Sequence, residues 1–249
     1  NNMLIDEGKR YSFFPSNRFT LSVDKENALK AGTITAKEKS RCADQITFEF
    51  STERDPALAR DEVMMMDIVA NNDWKRGIFF SSSRGSSFSV ALLSSGFIKQ
   101  VGMAYELSPL KEEPMFYNVS KMMKNMMNVY EYGDMANPKV LTDYYARRHT
   151  VQYRSNFLLL AEQLLNRKQK NKAIQVLDYS LKLMPLETVL DFGEVNSCDP
   201  FMSLKYNERD QEYMYQGQTL RAKCSGSLHE YVQLYYLAGD KKKAEALGQ

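Results

Sequence analysis

Apolar residues in the first third of the chain follow two periods, which indicates a mixture of strands and helices. Residues 18–23 and 46–50 alternate between apolar and polar side chains, as half-buried strands do. Asp24 is placed to begin a short helix over residues 24–32, and a second helix is expected over 37–44. The pattern therefore predicts a small mixed α/β region at this end of the chain.

The segment 61–80 joins a helix to a strand through a polar turn. The apolar residues between 63 and 70 predict a buried helix, which stops at an Asn-Asn-Asp turn over residues 71–73. Trp-Lys-Arg follows at 74–76, and residues 77–80 have the composition of a short buried strand. We interpret this segment as a fixed helix–turn–strand joint.

Downstream of this joint the sequence predicts a polar loop and one more strand. The serine-rich residues 81–89 have the composition of an exposed loop, and a strand is expected around residues 103–107. From residue 116 onward the pattern turns helical. A long helix is expected over residues 142–167.

Four methionines mark one face of the first helix in this second region, at three- and four-residue spacing: Met122, Met123, Met126 and Met127. A methionine stripe is also found in promiscuous binding grooves. The spacing favours the simpler interpretation, in which the stripe faces the core.

A tetratricopeptide-like repeat is indicated over residues 157–185. Ala161 and Ala173 occupy the small-residue positions where two antiparallel helices of such a repeat cross. A second, partial copy lies around residues 235–240, with Ala244 in the place of Ala173. The intervening residues 186–227 are polar and irregular, and they predict an inserted loop or lid.

These elements together predict the α+β class, with two domains. We expect a small mixed α/β domain over residues 1–115. A helical, tetratricopeptide-like region follows over 116–249, with the irregular insert near 186–227.

Composition excludes some classes of function. The 249 residues contain 33 Lys plus Arg against 31 Asp plus Glu, and the two signs are interleaved, so no basic stripe is available for nucleic acid. Cys42, Cys198 and Cys224 lack the paired spacing of a structural zinc site. Whether Cys198 and Cys224 form a disulfide stays open. No run approaches the roughly 20 apolar residues that span a bilayer.

Candidate chemistry is sparse, and no catalytic residue, cofactor site or metal site is assigned. The 81–89 loop is one candidate, with Arg84 supplying charge for a bound anion; a plain solvated connection is the more ordinary interpretation. Trp74, Lys75 and Arg76 are candidates for ligand or partner contacts, since an indole face and a guanidinium suit a sugar. A tryptophan that anchors the turn is the favoured alternative.

Several segments resemble the tail of a family of bacterial multi-pass membrane proteins, labelled a domain of unknown function and protein-O-mannosyltransferase-like. The matching segments are Phe14–Arg18, Val23–Lys25, Met66–Arg76, Ile78–Phe80, Gly102–Pro109, Arg154–Phe157, Leu160–Ala161, Ala238–Asp240 and Lys243–Ala244. Gly77 departs from the family, which usually has proline after the Trp-Lys-Arg triplet. The resemblance implies a GT-C type glycosyltransferase whose acidic catalytic residues lie in a transmembrane half.

The resemblance implies a non-catalytic tail on the periplasmic face of the bacterial inner membrane. Such a tail would support the transmembrane part of the same parent chain and bind a partner or acceptor polypeptide, or a glycan. The chain opens Asn1-Asn2, so we expect a fragment or a processed form. The alternatives are an independent helical-repeat adaptor and, ranked lowest, a stand-alone carbohydrate-active enzyme working at the 81–89 loop.

Overall fold

The computed structural model shows two compact units, Asn1–Asn118 and Val119–Gln249. The residues that the structure describes are 3–6, 9–12, 16–50, 58–110, 116–137, 139–140, 144–185, 205–207, 212–215, 218–220 and 228–248. Small antiparallel sheets and helices in the first unit, with mainly helices in the second, confirm the predicted α+β class.

The first unit holds seven short strands and three α-helices among its described residues. The strands are β1 (Met3–Asp6), β2 (Lys9–Ser12), β3 (Arg18–Ser22), β4 (Gln45–Glu49), β5 (Phe79–Phe80), β6 (Ile98–Gln100) and β7 (Tyr105–Leu107). The helices are α1 (Lys25–Lys30), α2 (Arg60–Asn72) and α3 (Ser87–Ser94). Strands β1 and β2 pair antiparallel, as do β3 and β4, while β7 lies between β5 and β6 in an antiparallel sheet.

Local sequence explains the strand–helix–strand segment that begins at β3. Phe19 faces Phe48 across the β3–β4 pair, and their rings stack with centroids 5.8 Å apart. Asp24 caps α1 because its carboxylate accepts a hydrogen bond from the backbone N–H of Asn27 at 2.9 Å. The predicted helix over 37–44 is wrong: only a single 3₁₀ turn forms at Lys39–Arg41.

An aromatic cluster forms the core of the first unit. Phe88 is fully buried, and its ring lies edge-on to Phe48 at 5.3 Å and to Phe80 at 6.3 Å. Phe88 belongs to α3, so the prediction of a loop through residue 89 is wrong at its end. The serines around Phe88 hide the helix in the sequence, because Ser is enriched in loops and N-caps alike.

Helix α2 confirms the predicted position of the helix but not its predicted burial. Val69 is buried, whereas Met64 is 59% exposed and Ile68 is 60% exposed. The strand after the joint is also less buried than predicted, because Phe79 is 56% exposed. One face of α2 packs on the core, and the apolar residues on its other face meet solvent.

The second unit contains five α-helices among its described residues. They are α4 (Val119–Lys124), α5 (Tyr144–Asn166), α6 (Lys170–Leu183), α7 (Leu228–Ala238) and α8 (Lys241–Leu247). A π-helical turn, Asn125–Val129, extends α4. Met122 and Met126 are fully buried, which confirms that the methionine stripe faces the core.

Helices α5 and α6 form one helical hairpin, and α7 and α8 form a second. Ala161, Ala173 and Ala244 are fully buried, as expected for small residues at close helix crossings. Polar contacts among the described residues join the two hairpins. The Ser180 and Tyr231 hydroxyls lie 2.5 Å apart, Tyr235 donates to Asp178 at 2.8 Å, and Lys243 Nζ lies 2.7 Å from Asp178.

The segment 186–227, predicted to be irregular, contains three short strands. They are β8 (Lys205–Asn207), β9 (Glu212–Tyr215) and β10 (Gln218–Leu220), and β9 pairs antiparallel with both others. The prediction of irregular structure is wrong for these strands. Cys198 and Cys224 lie outside the described residues, while Cys42 is a buried free thiol.

Candidate functional site

Trp74 lies at the turn between α2 and β5, and it is turned into the protein. Its side chain is 7% exposed, and its indole N–H donates to the Ser22 carbonyl at the end of β3 at 2.9 Å. Asp73 and Trp74 both adopt left-handed backbone conformations, with φ of 51° and 58°. Such conformations cost energy for residues other than glycine, and the buried ring and its hydrogen bond help to hold the turn in this conformation.

The two basic neighbours of Trp74 point to solvent. Lys75 and Arg76 are exposed, and Lys75 Nζ lies 3.1 Å from an Asp73 carboxylate oxygen. The turn is also closed by Asn72, whose side-chain amide donates to the Arg76 carbonyl at 2.7 Å. The indole face is therefore not presented beside the two cations, as sugar recognition by all three would require.

Gly77 suits this turn for a steric reason. A Cβ added there would lie 2.9 Å from Cε2 of Phe79, so the Phe79 ring covers the space that a side chain would occupy. Gly77, which departs from the family pattern, is therefore coupled to Phe79. A larger residue at position 77 would have to displace the Phe79 ring.

A buried glutamate accepts hydrogen bonds from the backbone near the end of the 81–89 segment. Glu62 on α2 is 6% exposed and accepts hydrogen bonds from the backbone N–H groups of Ser87 at 2.6 Å and of Ala59 at 3.0 Å. Ser86 caps α3 as well, its hydroxyl accepting from the Ser89 N–H at 3.1 Å. Helix N-termini attract anions, and here the protein supplies its own carboxylate.

The burial and the hydrogen bonds of Glu62 determine the pKa of its carboxyl group. Burial by itself would raise the pKa of its carboxyl, but hydrogen bonds from Ala59, Ser87 and Phe88 together outweigh burial and hold the pKa below its ordinary value. Arg84, proposed from the sequence to attract an anion, is exposed, and its backbone N–H contacts the Ser82 hydroxyl at 3.3 Å. The internal carboxylate of Glu62 therefore binds the start of α3, and Arg84 takes no part in the described contacts of this carboxylate.

A groove in the helical unit is a concave surface whose lining residues were not singled out from the sequence. It lies between α5 and α7 and encloses about 250 Å³. Its apolar lining includes Leu158, Leu159 and Leu165 from α5 and Leu234 and Leu237 from α7.

The exposure of Leu237 shows that the groove is open to solvent on one side. Leu237 is 56% exposed, whereas Leu234, three residues earlier, is 8% exposed. Glu162 and Glu230 are the acidic residues that line the groove, one from each helix. The repeat pattern carried a usable signal, because it identifies α5 and α7 as the first helices of successive hairpins, which line the concave face of such arrays.

Metal-binding clusters and membrane-spanning helices are both absent from the described residues. Within the described ranges there is no cluster of His, Cys, Asp and Glu able to hold a metal ion. His149 is exposed, and its ring stacks on Tyr153 with centroids 6.5 Å apart. No helix in the described part of the chain is both long and apolar enough to cross a membrane.

Comparison with known proteins places the first unit in a family. The model of TMEM260-associated domain 2 matches residues 1–130. Neither the curated proteins nor the solved structures include a match to this chain. Because the family model covers more than half of the 249 residues, the chain belongs to the family of TMEM260-associated domain 2, a domain tied to protein O-mannosyltransferase-like membrane proteins.

Proposed function

We propose that this chain is a non-catalytic accessory part of a membrane glycosyltransferase-like protein, and that its helical unit binds a partner or acceptor polypeptide. Membership of the TMEM260-associated family supports the link to such a parent protein. The observation that carries the binding role is the open groove between α5 and α7, lined by leucines of two successive repeat hairpins.

The described buried polar groups support an accessory role, because their hydrogen bonds hold parts of the fold together. Glu62 binds the backbone at the start of α3, Arg154 donates to the Met184 carbonyl at 2.6 Å, and Tyr231 contacts Ser180. Burial raises the pKa of Tyr231 to about 12, so this phenol stays neutral at ordinary pH. Catalytic acids and bases have pKa values near the working pH, and this arrangement gives Tyr231 the opposite property.

The parent protein proposed here resembles the bacterial GT-C type enzymes named above. In that arrangement the chain lies on the periplasmic face of the inner membrane, and the transmembrane part of the same parent chain carries the acidic catalytic residues. The α/β unit supports that transmembrane part, and the helical unit holds the polypeptide. A glycan attached to the polypeptide is a further candidate for contact with exposed Lys75 and Arg76.

Site-specific crosslinking in the full-length parent protein tests the binding role. A photo-reactive residue at Leu237 lies in the groove, whereas one at Glu245 is exposed on α8 outside the groove lining. We expect crosslinked polypeptide from Leu237 and little from Glu245. Equal yields from the two positions, or none from Leu237, would overturn the proposal.

An activity assay tests the non-catalytic role. The purified chain should transfer no sugar from lipid-linked or nucleotide donors to peptide acceptors. Sustained turnover that disappears in Arg84→Ala would instead support the stand-alone enzyme working at the 81–89 segment. Lys30→Ala, which removes an exposed cation on α1, is the matched control.

A further inference from the structure

We propose that the occupant of the α5–α7 groove is a polypeptide segment that carries an apolar face flanked by lysine or arginine side chains. This inference rests on the proposed function, since it specifies the partner of the same groove. It adds the charge of the partner and the groove residues that select it, Glu162 and Glu230.

The size of the groove favours anchoring side chains over a whole small molecule. The groove encloses about 250 Å³. Sites for cofactors and drug-sized ligands are usually clefts of about 300–1,000 Å³ that surround most of the ligand. A groove that is smaller and open along one side suits a few apolar side chains projecting from an extended or helical segment.

The leucines provide the apolar surface for those side chains. Leu158 and Leu234 are buried and form part of the groove lining, while Leu237 is more than half exposed. Removing exposed apolar area from water is favourable in proportion to the area covered. An apolar side chain that packed against Leu237 would cover surface that no described residue covers now.

The charge of the lining specifies the rest of the partner. Glu162 on α5 is exposed and Glu230 on α7 is half-buried, so the groove carries a carboxylate on each of its two helices. None of the described lining residues is basic. Charged groups at the rim of an interface steer encounters and exclude like-charged partners, so this pair favours a basic segment and disfavours an acidic one.

The same charges disfavour an anionic membrane as the occupant. Anionic lipid headgroups attract basic residues, and this lining presents two acids instead. A basic amphipathic polypeptide satisfies both the leucines and the carboxylates.

Peptide binding to the complete 249-residue chain tests the inference. Three labelled peptides of equal length serve as probes: a leucine–lysine amphipathic peptide, a leucine–glutamate peptide of the same pattern, and a serine–lysine peptide without an apolar face. We expect saturable binding of the leucine–lysine peptide alone, measured by fluorescence anisotropy. The double variant E162Q/E230Q should weaken that binding roughly tenfold, which corresponds to about 1.4 kcal/mol.

Two controls separate charge recognition from a folding defect. Glu245→Gln removes an exposed carboxylate outside the groove lining and should leave the affinity unchanged. The charge reversal E162K/E230K should instead bind the leucine–glutamate peptide. Far-ultraviolet circular dichroism should show unchanged helix content in all of these variants.

The outcomes distinguish this inference from the proposed function. If both amphipathic peptides bind equally and Leu237→Ser abolishes binding, the groove binds polypeptides but the charge inference is wrong. If no peptide binds, the inference is wrong, and crosslinking at Leu237 decides the proposed function independently. Tighter binding to vesicles of phosphatidylserine than to the leucine–lysine peptide would overturn the inference in favour of a membrane.

Discussion

The two units of this protein use their polar side chains in different ways. In the α/β unit the important contacts run from side chains to backbone: Trp74 to the Ser22 carbonyl, and Glu62 to the N–H groups of Ser87 and Ala59. In the helical unit, the described contacts that join the two hairpins run from side chain to side chain. Arg154 is an exception in the helical unit, because its side chain donates to a backbone carbonyl, that of Met184 at the end of α6.

The difference has a physical cause. Strands of two to five residues and helices joined by irregular turns leave many backbone groups without partners, and buried polar groups must find partners somewhere. Long helices satisfy their own backbone, so side chains such as Asp178 remain available to join successive hairpins. Single polar or aromatic residues should therefore matter most in the α/β unit, and interhelical fit should matter most in the helical unit.

The largest expected effect tests the α/β side of this comparison. Trp74→Ala removes a buried ring and the hydrogen bond to Ser22, and should destabilise the protein by about 3–5 kcal/mol in denaturant unfolding followed by circular dichroism. Trp74→Phe keeps most of the ring but loses the indole N–H, and should cost less. A stable Trp74→Ala variant that has lost affinity for peptide or glycan would show a recognition role instead.

Overpacking a helix crossing tests the helical side. Ala173 is fully buried between the helices, so Ala173→Phe should destabilise the unit by about 1–3 kcal/mol. Lys172→Phe, at an exposed position one residue earlier, should stay within about 0.5 kcal/mol. The free energy of unfolding of each variant is measured by denaturant unfolding. Equal and small effects would mean that the repeat-like spacing does not describe the packing.

The buried carboxylate gives the α/β unit an acid-dependent contribution to stability. The pKa of Glu62 is lowered from its ordinary value of 4.5, so its contribution is present above that pH and is lost as the pH falls through the folded-state pKa. Glu62→Gln should cost about 1–3 kcal/mol at neutral pH, because backbone donors lose a charged acceptor.

The pH profile distinguishes this contribution from a general defect. Unfolding curves of the native protein and of Glu62→Gln, measured between about pH 6 and about pH 3, should converge at the acid end. Asp61→Asn, an exposed neighbour on α2, should leave the shape of the profile unchanged. Parallel profiles for the native protein and Glu62→Gln would contradict the assigned role.

The smallest effect is expected for the polar contact between hairpins. Asp178→Asn removes the charge that pairs with Lys243 at 2.7 Å, and both side chains are more than two-fifths exposed, so solvent screens the pair. We expect about 0.2–1 kcal/mol, diminishing in concentrated salt. Glu245→Gln on α8 is the control. A loss well above this range would mean that polar contacts dominate the helical unit too.

This pair also has a defined dependence on alkaline pH. The hydrogen bond to Asp178 raises the pKa of Lys243, so the contribution is present below the ordinary lysine pKa and is lost as the pH rises through the raised value. Asp178→Asn removes the charge that pairs with Lys243. The loss of stability that accompanies deprotonation of Lys243 at alkaline pH should therefore be absent in this variant.

Local pattern was enough to predict most elements of both units. The alternation at 18–23 and 46–50 predicted β3 and β4, and the helical period with small residues at 161 and 173 predicted the α5–α6 hairpin. These predictions succeed because period and side-chain size are properties of neighbours in sequence. The family resemblance is confirmed in its link to protein O-mannosyltransferase-like membrane proteins.

Tertiary structure alone decided the features that depend on partners distant in sequence. The serines around Phe88 become helix α3 because Phe88 packs against Phe48 and the helix start receives Glu62, 25 residues away. Apolar residues on α2 stay exposed because only one face of the helix meets the core. The groove likewise depends on α5 and α7, which the chain brings together across more than 60 residues, a pairing that no local period specifies.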